Sequence, residues 1–346
     1  MQLTERQEQI LKTIVELYIS TARPVGSHAI VEASQLSISS ATVRNEMAAL
    51  EELGYVQQLH TSGGRVPTNA GYRYYVEHLM DSDRLSSSEA VTIRHQFHQA
   101  HSELQEWLKL AATIMAYRMH NVALITAPRA SEVRLRHLEV IATQNTVALL
   151  IVVLQDGTVL QEMLTLAEPH DQEELSAQAD RLAQELRGMT ASQVETKAAK
   201  LPQTGAAVAT MAAHLLRRGE EGHTQVYHAG LADMIRQPEF LGPRHGESLS
   251  MLNDRLRYVV DFLHQGYAVE RLLSGLPLAV DVHVMIGSDV GAEGLQDYSF
   301  VVGRYGDQAD SSGFLGIVGP TRMAYPRAVA LVRYMSDLMT DLVQAY

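Results

Sequence analysis

The feature that most constrains this chain is the punctuation of its first eighty residues. Thr4 and Gln7 have capping-box spacing, in which each side chain bonds the other residue's backbone N–H. Beyond them Ile10, Leu11, Ile14, Leu17 and Tyr18 recur at helical period until Pro24 and Gly26 break the run. Ser27 can cap a second, short helix from His28 to Ala33. A polar turn from Ser37 to Ser40 leads into a third, with Val43, Met47 and Leu50 on one face and Gly54 as its stop. Tyr55 to Leu59 then reads as a strand, Thr61 to Arg65 as a Gly-containing loop, and Val66-Pro67 as the return strand. Thr68 opens one more helix, with Tyr72, Tyr75, Val76 and Leu79 at its apolar positions. Three helices followed by a Gly-tipped hairpin is the order of a winged helix-turn-helix. There the third helix enters the DNA major groove and the hairpin reaches the backbone or minor groove.

Helical projection tests that expectation. Burying Val43, Met47 and Leu50 turns Thr42, Asn45 and, nearer the edge, Arg44 outward. Arg binds guanine bidentately, Asn binds adenine, and Thr can hydrogen-bond or touch a thymine methyl. Ser39 and Ser40 sit where a helix N-terminus offers free N–H groups to phosphate, and Gly26 and Ser27 sit at a similar end. The hairpin tip adds His60, Thr61, Ser62, Gly63, Gly64 and Arg65, its glycines letting the backbone approach DNA. The plain alternative makes Ser39 only a cap, pairs Arg44 with Glu51 or Glu52, and leaves the hairpin a simple turn. Residues 1–80 hold six bases and eight acids. Affinity would then depend on local placement and on two copies acting together.

The remaining 266 of 346 residues leave room for further domains. Asp81 to Ser88 is a polar linker, and a long helical stretch is expected from Glu89 to His120. A strand at Asn121–Ala127 precedes three more, Leu138–Ala142, Val147–Leu154 and Val159–Leu166, the last two joined by an Asp156-Gly157 turn. Helical pattern resumes through Leu175, Leu182 and Leu186 and again near Val208 to Leu216. The last part carries strands at Gln225–His228, Val280–Ile286, Tyr298–Arg304 and Phe314–Val318, with helices near Leu252–His264 and from Pro326.

Several functions are excluded or unsupported. Cysteine is absent, which removes disulfides, thiol nucleophiles and Cys-based zinc sites. No Walker A, Gly-x-Ser-x-Gly, His-Glu-x-x-His or Gly-x-Gly-x-x-Gly pattern occurs, so no enzyme chemistry, catalytic residue or cofactor is expected. His95, His98 and His101 rotate around a helix rather than converge, so no metal is expected. The longest apolar run, Val147 to Leu154, is far short of the ~20 residues a membrane span needs. The N-terminus has no leader pattern, and the reading is cytoplasmic with no membrane partner. Net charge is −12, which argues against a polybasic nucleic-acid tail but not against a compact DNA-reading module.

The segments LTERQEQILKTIVELYISTARPVGS and SSATVRNEMAALEELGYVQQLHTSGGRVPTNAGYRYYV closely resemble the N-terminal region of the HrcA family of heat-inducible transcription repressors. PEF at Pro238–Phe240, VMIGSD at Val284–Asp289, YSFVVGRYG and GFLGIVGPTRMAYPR resemble that family's other signatures, while about 130–225 matches in pattern only. Gly63 stands where the family leads one to expect Ala. The resemblance implies an α+β multidomain protein: an N-terminal winged helix-turn-helix at 1–80, and a discontinuous GAF-like α/β domain at 81–129 and 226–346. An inserted α+β dimerisation domain at 130–225 would interrupt it. It further implies a homodimer that represses chaperone operons at an inverted-repeat operator called CIRCE. It implies dependence on the GroE chaperonin and loss of activity on heating. Two rivals are a metabolite-responsive winged-helix regulator sensing a small ligand through the GAF-like domain, and an enzyme built on the central and C-terminal parts. At Gly319-Pro320-Thr321-Arg322-Met323 the plainer reading is a strand-to-helix corner with Arg322 tying down the core; the sharper one is an effector site.

Overall fold

The computed structural model describes residues 3–34, 38–59, 63–81, 83–100, 103–130, 133–144, 146–155, 157–221, 225–241, 248–264, 269, 272–273, 275–276, 281–291, 294–307 and 311–345. Ser37, Ser82, His101 and Asp156, named above in turns, a linker and a histidine series, lie outside them. The chain divides into two compact units: Met1–Pro128 with Thr224–Gly306 and Gly313–Tyr346, and Arg129–His223 with Asp307–Ser312.

The first unit begins with α1 (Glu5–Thr21). Its capping box is closed, Thr4 Oγ1 accepting from Gln7 N at 3.3 Å and Gln7 Oε1 from Thr4 N at 3.0 Å. Ile10, Leu11, Ile14 and Val15 are buried. Ala22 ends the helix in the left-handed region, at φ 54°, returning its N–H to the Tyr18 carbonyl. α2 (Ser27–Ala33) and α3 (Ser40–Glu52) follow, then antiparallel β1 (Val56–Gln58) and β2 (Arg65–Pro67), with Val56 opposite Pro67. α4 (Asn69–Tyr74) is capped by Thr68 and runs into a π-turn at Tyr75–Leu79.

The long helix expected from Glu89 to His120 is two helices, α5 (Ser87–Gln99) and α6 (Leu104–Met119). Ala100 and Glu103 both take extended backbone, so the apolar period continues across a break in the backbone hydrogen bonding. β3 (Val122–Thr126) is buried throughout, as a strand covered on both faces must be.

The second unit holds β4 (Arg129–Ala130), β5 (Leu135–Gln144), β6 (Val147–Leu154) and β7 (Val159–Thr165), then α7 (Gln172–Leu186), α8 (Ala191–Ala198) and α9 (Gln203–Glu221). β5, β6 and β7 form an antiparallel meander. Strict alternation on β6 sends Ala148, Leu150, Val152 and Leu154 into a core with Leu182, Leu186, Leu215 and Leu216.

The first unit resumes with β8 (Val226–Ala229), α10 (Leu231–Met234), α11 (Leu249–His264), β9 (Val282–Ile286), β10 (Tyr298–Asp307), β11 (Ser311–Pro320) and α12 (Tyr325–Ala345), except that Asp307 of β10 and Ser311–Ser312 of β11 count with the second unit. Its sheet runs in the order β8-β3-β11-β10-β9. One set of side chains, with Val122, Leu124, Phe300, Val302 and Val318, packs with Val259, Phe262 and Leu263 of α11. The alternate set, with Ala123, Ile125, Val301 and Ile317, joins α6, α12 and the α1–α4 helices in one continuous core. No helix among the described residues is long and apolar enough to cross a membrane.

Candidate nucleic-acid interface

α3 is held at both ends. At its start Ser39 Oγ accepts from Thr42 N at 3.2 Å and lies 3.0 Å from Thr42 Oγ1. At its end Glu51 braces the hairpin. Its Oε1 accepts from Gln58 N at 3.0 Å, and its Oε2 accepts from Arg65 Nε at 2.9 Å and Nη2 at 2.7 Å. Val43, Met47 and Leu50 are buried as their spacing predicts. Arg44 and Asn45 are left exposed and Thr42 half-buried.

Ser27 is not the cap of α2. Gly26 holds that position without a side-chain bond, and Ser27 is the first helical residue. Its hydroxyl lies 2.8 Å from Ser40 Oγ and accepts from Arg44 Nε at 3.2 Å. Two hydroxyls and one guanidinium thus tie the start of α2 to the start of α3. Arg44 engages Ser27 rather than Glu51 or Glu52, and among the described residues its two terminal nitrogens have no partner.

The hairpin is anchored by a third strand-like contact. Val25 N donates to the Arg65 carbonyl and Arg65 N to the Val25 carbonyl, each at 2.9 Å. This brings Gly64 against the preceding turn, where a Cβ would lie 2.5 Å from the Val25 carbonyl carbon and oxygen. Glycine at 64 is therefore demanded by packing inside the protein. Arg65 sits at the base of the wing, largely buried on Glu51. Gly63 is half-buried, its carbonyl accepting from Gln58 Nε2 at 3.4 Å. His60, Thr61 and Ser62 lie outside the described residues.

The charges sort by pairing. Arg6 pairs with Glu46, Lys12 with Asp81, Arg65 with Glu51 and Arg73 with Asp289. Arg23 and Arg44 are exposed and carry no ion pair among the described residues. A near-neutral module can still present positive charge where its cations are unneutralised. Sequence reasoning did not single out Arg23. Its signal was local: it precedes Pro24 in the break between α1 and α2, so it cannot be drawn into either helix. Glu51 was assigned at most to Arg44, because its true partners, 7 and 14 residues away, are set by the hairpin.

Two family models cover most of the chain: "Winged helix-turn-helix transcription repressor, HrcA DNA-binding" over residues 2–79, and "HrcA protein C terminal domain" over residues 105–329. The chain belongs to the HrcA family. The heat-inducible transcription repressor HrcA of Thermomicrobium roseum is 43% identical over 99% of this chain and 96% of its own length. That of Roseiflexus castenholzii is 41% identical over 99% and 94%. A crystal structure of a hypothetical protein shares the fold, with TM-score 0.56 and 24% identity over 99% of this chain and 98% of that one. HrcA proteins are transcription repressors with a winged-helix DNA-binding domain, not enzymes. This chain combines that domain with a C-terminal α/β domain.

Proposed function

We propose that this repressor reads an inverted-repeat operator of the CIRCE type as a homodimer, placing one α3 in the major groove of each half-site. The observation that carries the reading is the outward face of α3. There Arg44 and Asn45 are exposed and Thr42 half-buried, and Arg44, like Arg23 in the turn after α1, has no ion pair among the described residues. Ser39 and Ser40 at the same helix end, with Gly26 and Ser27 beside them, supply polar groups and N–H donors for the DNA backbone. Gly63 and Gly64 with His60, Thr61 and Ser62 form the wing that follows the backbone or minor groove, and Arg65 holds that wing in place.

Residues 1–80 are the reading domain, 81–129 with 226–346 a GAF-like domain, and 130–225 an inserted dimerisation domain. β6 supports the dimer. Its second face carries Val147, Leu149, Ile151 and Val153, only half-buried, beside Val159 and Met163 of β7, which are 60% and 50% exposed. A second copy covering this face would bury apolar area at roughly 25 cal/mol per Å². The packed apolar side chains between the sheet and α11 favour operator control over small-ligand sensing.

Heating removes activity and the GroE chaperonin restores it, so the protein serves chaperone operons in the cytoplasm. Sensing is distributed over the fold. With ~5–15 kcal/mol of total stability, a few degrees near the midpoint change the folded population.

Footprinting on chaperone promoters tests the site. Arg44→Ala and Asn45→Ala should each lose about 1–3 kcal/mol on operator DNA and far less on unrelated DNA. Equal losses on both would reduce these residues to phosphate contacts. Operator binding after a heat pulse, with and without chaperonin and ATP, tests the thermal half. Rapid recovery without chaperonin would refute it.

A further inference from the structure

Three segments far apart in the C-terminal part meet at the recognition module: Pro238–Phe240, Val284–Asp289 and Gly319–Met323. The meeting point begins with a defect in α1. An α-helix ends in carbonyls without partners and with a negative dipole end, and α1 has no base in its last turn. The N–H that would complete the Ile19 carbonyl, that of Arg23, goes to Thr21 Oγ1 at 3.3 Å. Arg322 supplies the missing donor: its Nη1 donates to the Ile19 carbonyl.

The same guanidinium forks onto Glu239 through Nε and Nη2, the latter at 3.3 Å. The two side chains are 14% and 13% exposed. Burial works against the Arg322 charge, but Glu239 outweighs it and holds the guanidinium above its ordinary value. Glu239 is itself held from behind, because Arg255 Nη2 donates to its carbonyl at 2.7 Å and the Arg255 guanidinium lies 5.5 Å from the Phe240 ring centre. The carboxylate that aims Arg322 is thus part of a fixed backbone corner.

Two further contacts join the module to the same body. Arg73 of α4 forks onto Asp289, with Nε to Oδ2 at 2.9 Å. Beside it Gly287 takes φ 58° against Asn69, whose amide nitrogen would lie 2.0 Å from a Cβ there. The Tyr72 ring meets the Tyr325 ring with centres 5.8 Å apart. One contact leaves a body free to rotate, whereas two, Arg322 on Ile19 and Glu239 and Arg73 on Asp289, restrain its orientation. Of the two ion pairs, Arg73–Asp289 is more exposed and so contributes less, which leaves Arg322 as the main polar anchor.

We propose that Arg322 is a positioning residue for DNA recognition: by joining the Ile19 carbonyl to Glu239 it fixes the angle of the recognition module on the C-terminal body. In a dimer that angle sets which separation of half-sites can be engaged by both modules together. The proposal rests on the operator reading above. Its signature is a change in spacing preference, which loss of a base contact would not produce.

The experiment uses full-length protein with a single half-site and with inverted repeats whose separation changes in single base-pair steps through one helical turn, about 10 bp. The wild type should prefer one separation. Arg322→Ala should flatten that preference and lose about tenfold or more at the preferred separation, because a wobbling second module has a lower effective concentration. Single half-site affinity should stay within about twofold, since Arg322 makes no base contact. Arg322→Lys keeps the charge without the fork and should fall between the two. Glu239→Gln, which leaves Arg322 in place and preserves side-chain shape, should shift the profile in the same direction and guards against a variant that fails to fold. A wild-type-like profile in folded Arg322→Ala and Glu239→Gln overturns the proposal alone. So does a loss on the half-site equal to that on the repeat. A wild type that binds no inverted repeat more tightly than a half-site overturns the operator reading with it.

Discussion

The recognition module and the second compact unit solve the same problem in opposite ways. The second unit closes its own core, with Leu138, Val140, Leu150, Val152, Leu182, Leu186, Leu215 and Leu216 in one cluster confined to that unit. The module does not. Ile14, Tyr72 and Tyr75 belong to a core that continues into Met323, Tyr325, Leu331 and Met335. A small helical module buries too little surface to be stable by a wide margin alone, and a shared core removes that limit. The consequence is coupling: whatever loosens the C-terminal body loosens the part that reads DNA. On the thermal reading proposed above, that would tie DNA recognition to the stability of the whole first unit.

The largest effects should come from emptying each core. Ile14 and Leu150 are both fully buried, and Ile14→Ala or Leu150→Ala should each cost about 2–5 kcal/mol. Hydrogen exchange should show Ile14→Ala raising opening across α1, α6 and α12 together, and Leu150→Ala raising it only in the second unit. Exchange confined to residues 3–80 in Ile14→Ala would break the contrast.

Gly64→Ala should follow. Its Cβ would fall 2.5 Å from the Val25 backbone, so the wing must move, at a cost of roughly 1–3 kcal/mol. Operator affinity should drop while the second unit melts as before, and an unshifted wing with unchanged affinity would show that the Val25 contact is dispensable. Ser39→Ala removes the cap of α3 and should lower stability of the first unit by about 1 kcal/mol, measured by urea titration. The smallest change belongs to the surface of the second unit. Arg217 and Glu195 form a two-bond pair with both side chains nearly half exposed, and Arg217→Ala should cost under about 1 kcal/mol and weaken further in its effect as salt rises.

Much of the module was legible because its signals are local. Capping at Thr4 and Ser39, the burial of Val43, Met47 and Leu50, and the hairpin after Gly54 each depend on residues within a few positions. The same locality misled at Ser27, whose hydroxyl had a longer-range claim in Ser40 and Arg44. It also ran one helix through the break between α5 and α6, because apolar spacing continues past the extended residues Ala100 and Glu103.

By itself the sequence determined most of the helices and strands of the first eighty residues, which of their faces are apolar, and which side chains of α3 point outward. These follow from 3.6- and 2-residue periods and from caps, which are properties of neighbours. Only the tertiary structure decided who pairs with whom. The chain has 24 Arg and 40 acidic side chains, and no spacing rule selects among their combinations. Packing does, by bringing Arg65 to Glu51 across 14 residues and Arg322 to the Ile19 carbonyl across 303. It thereby pairs four of the six cations of residues 1–80 with carboxylates and leaves Arg23 and Arg44 without an ion pair among the described residues. The physical reason is that an ion pair or a shared core is stabilising only where burial and geometry coincide, and both are set by the assembled fold.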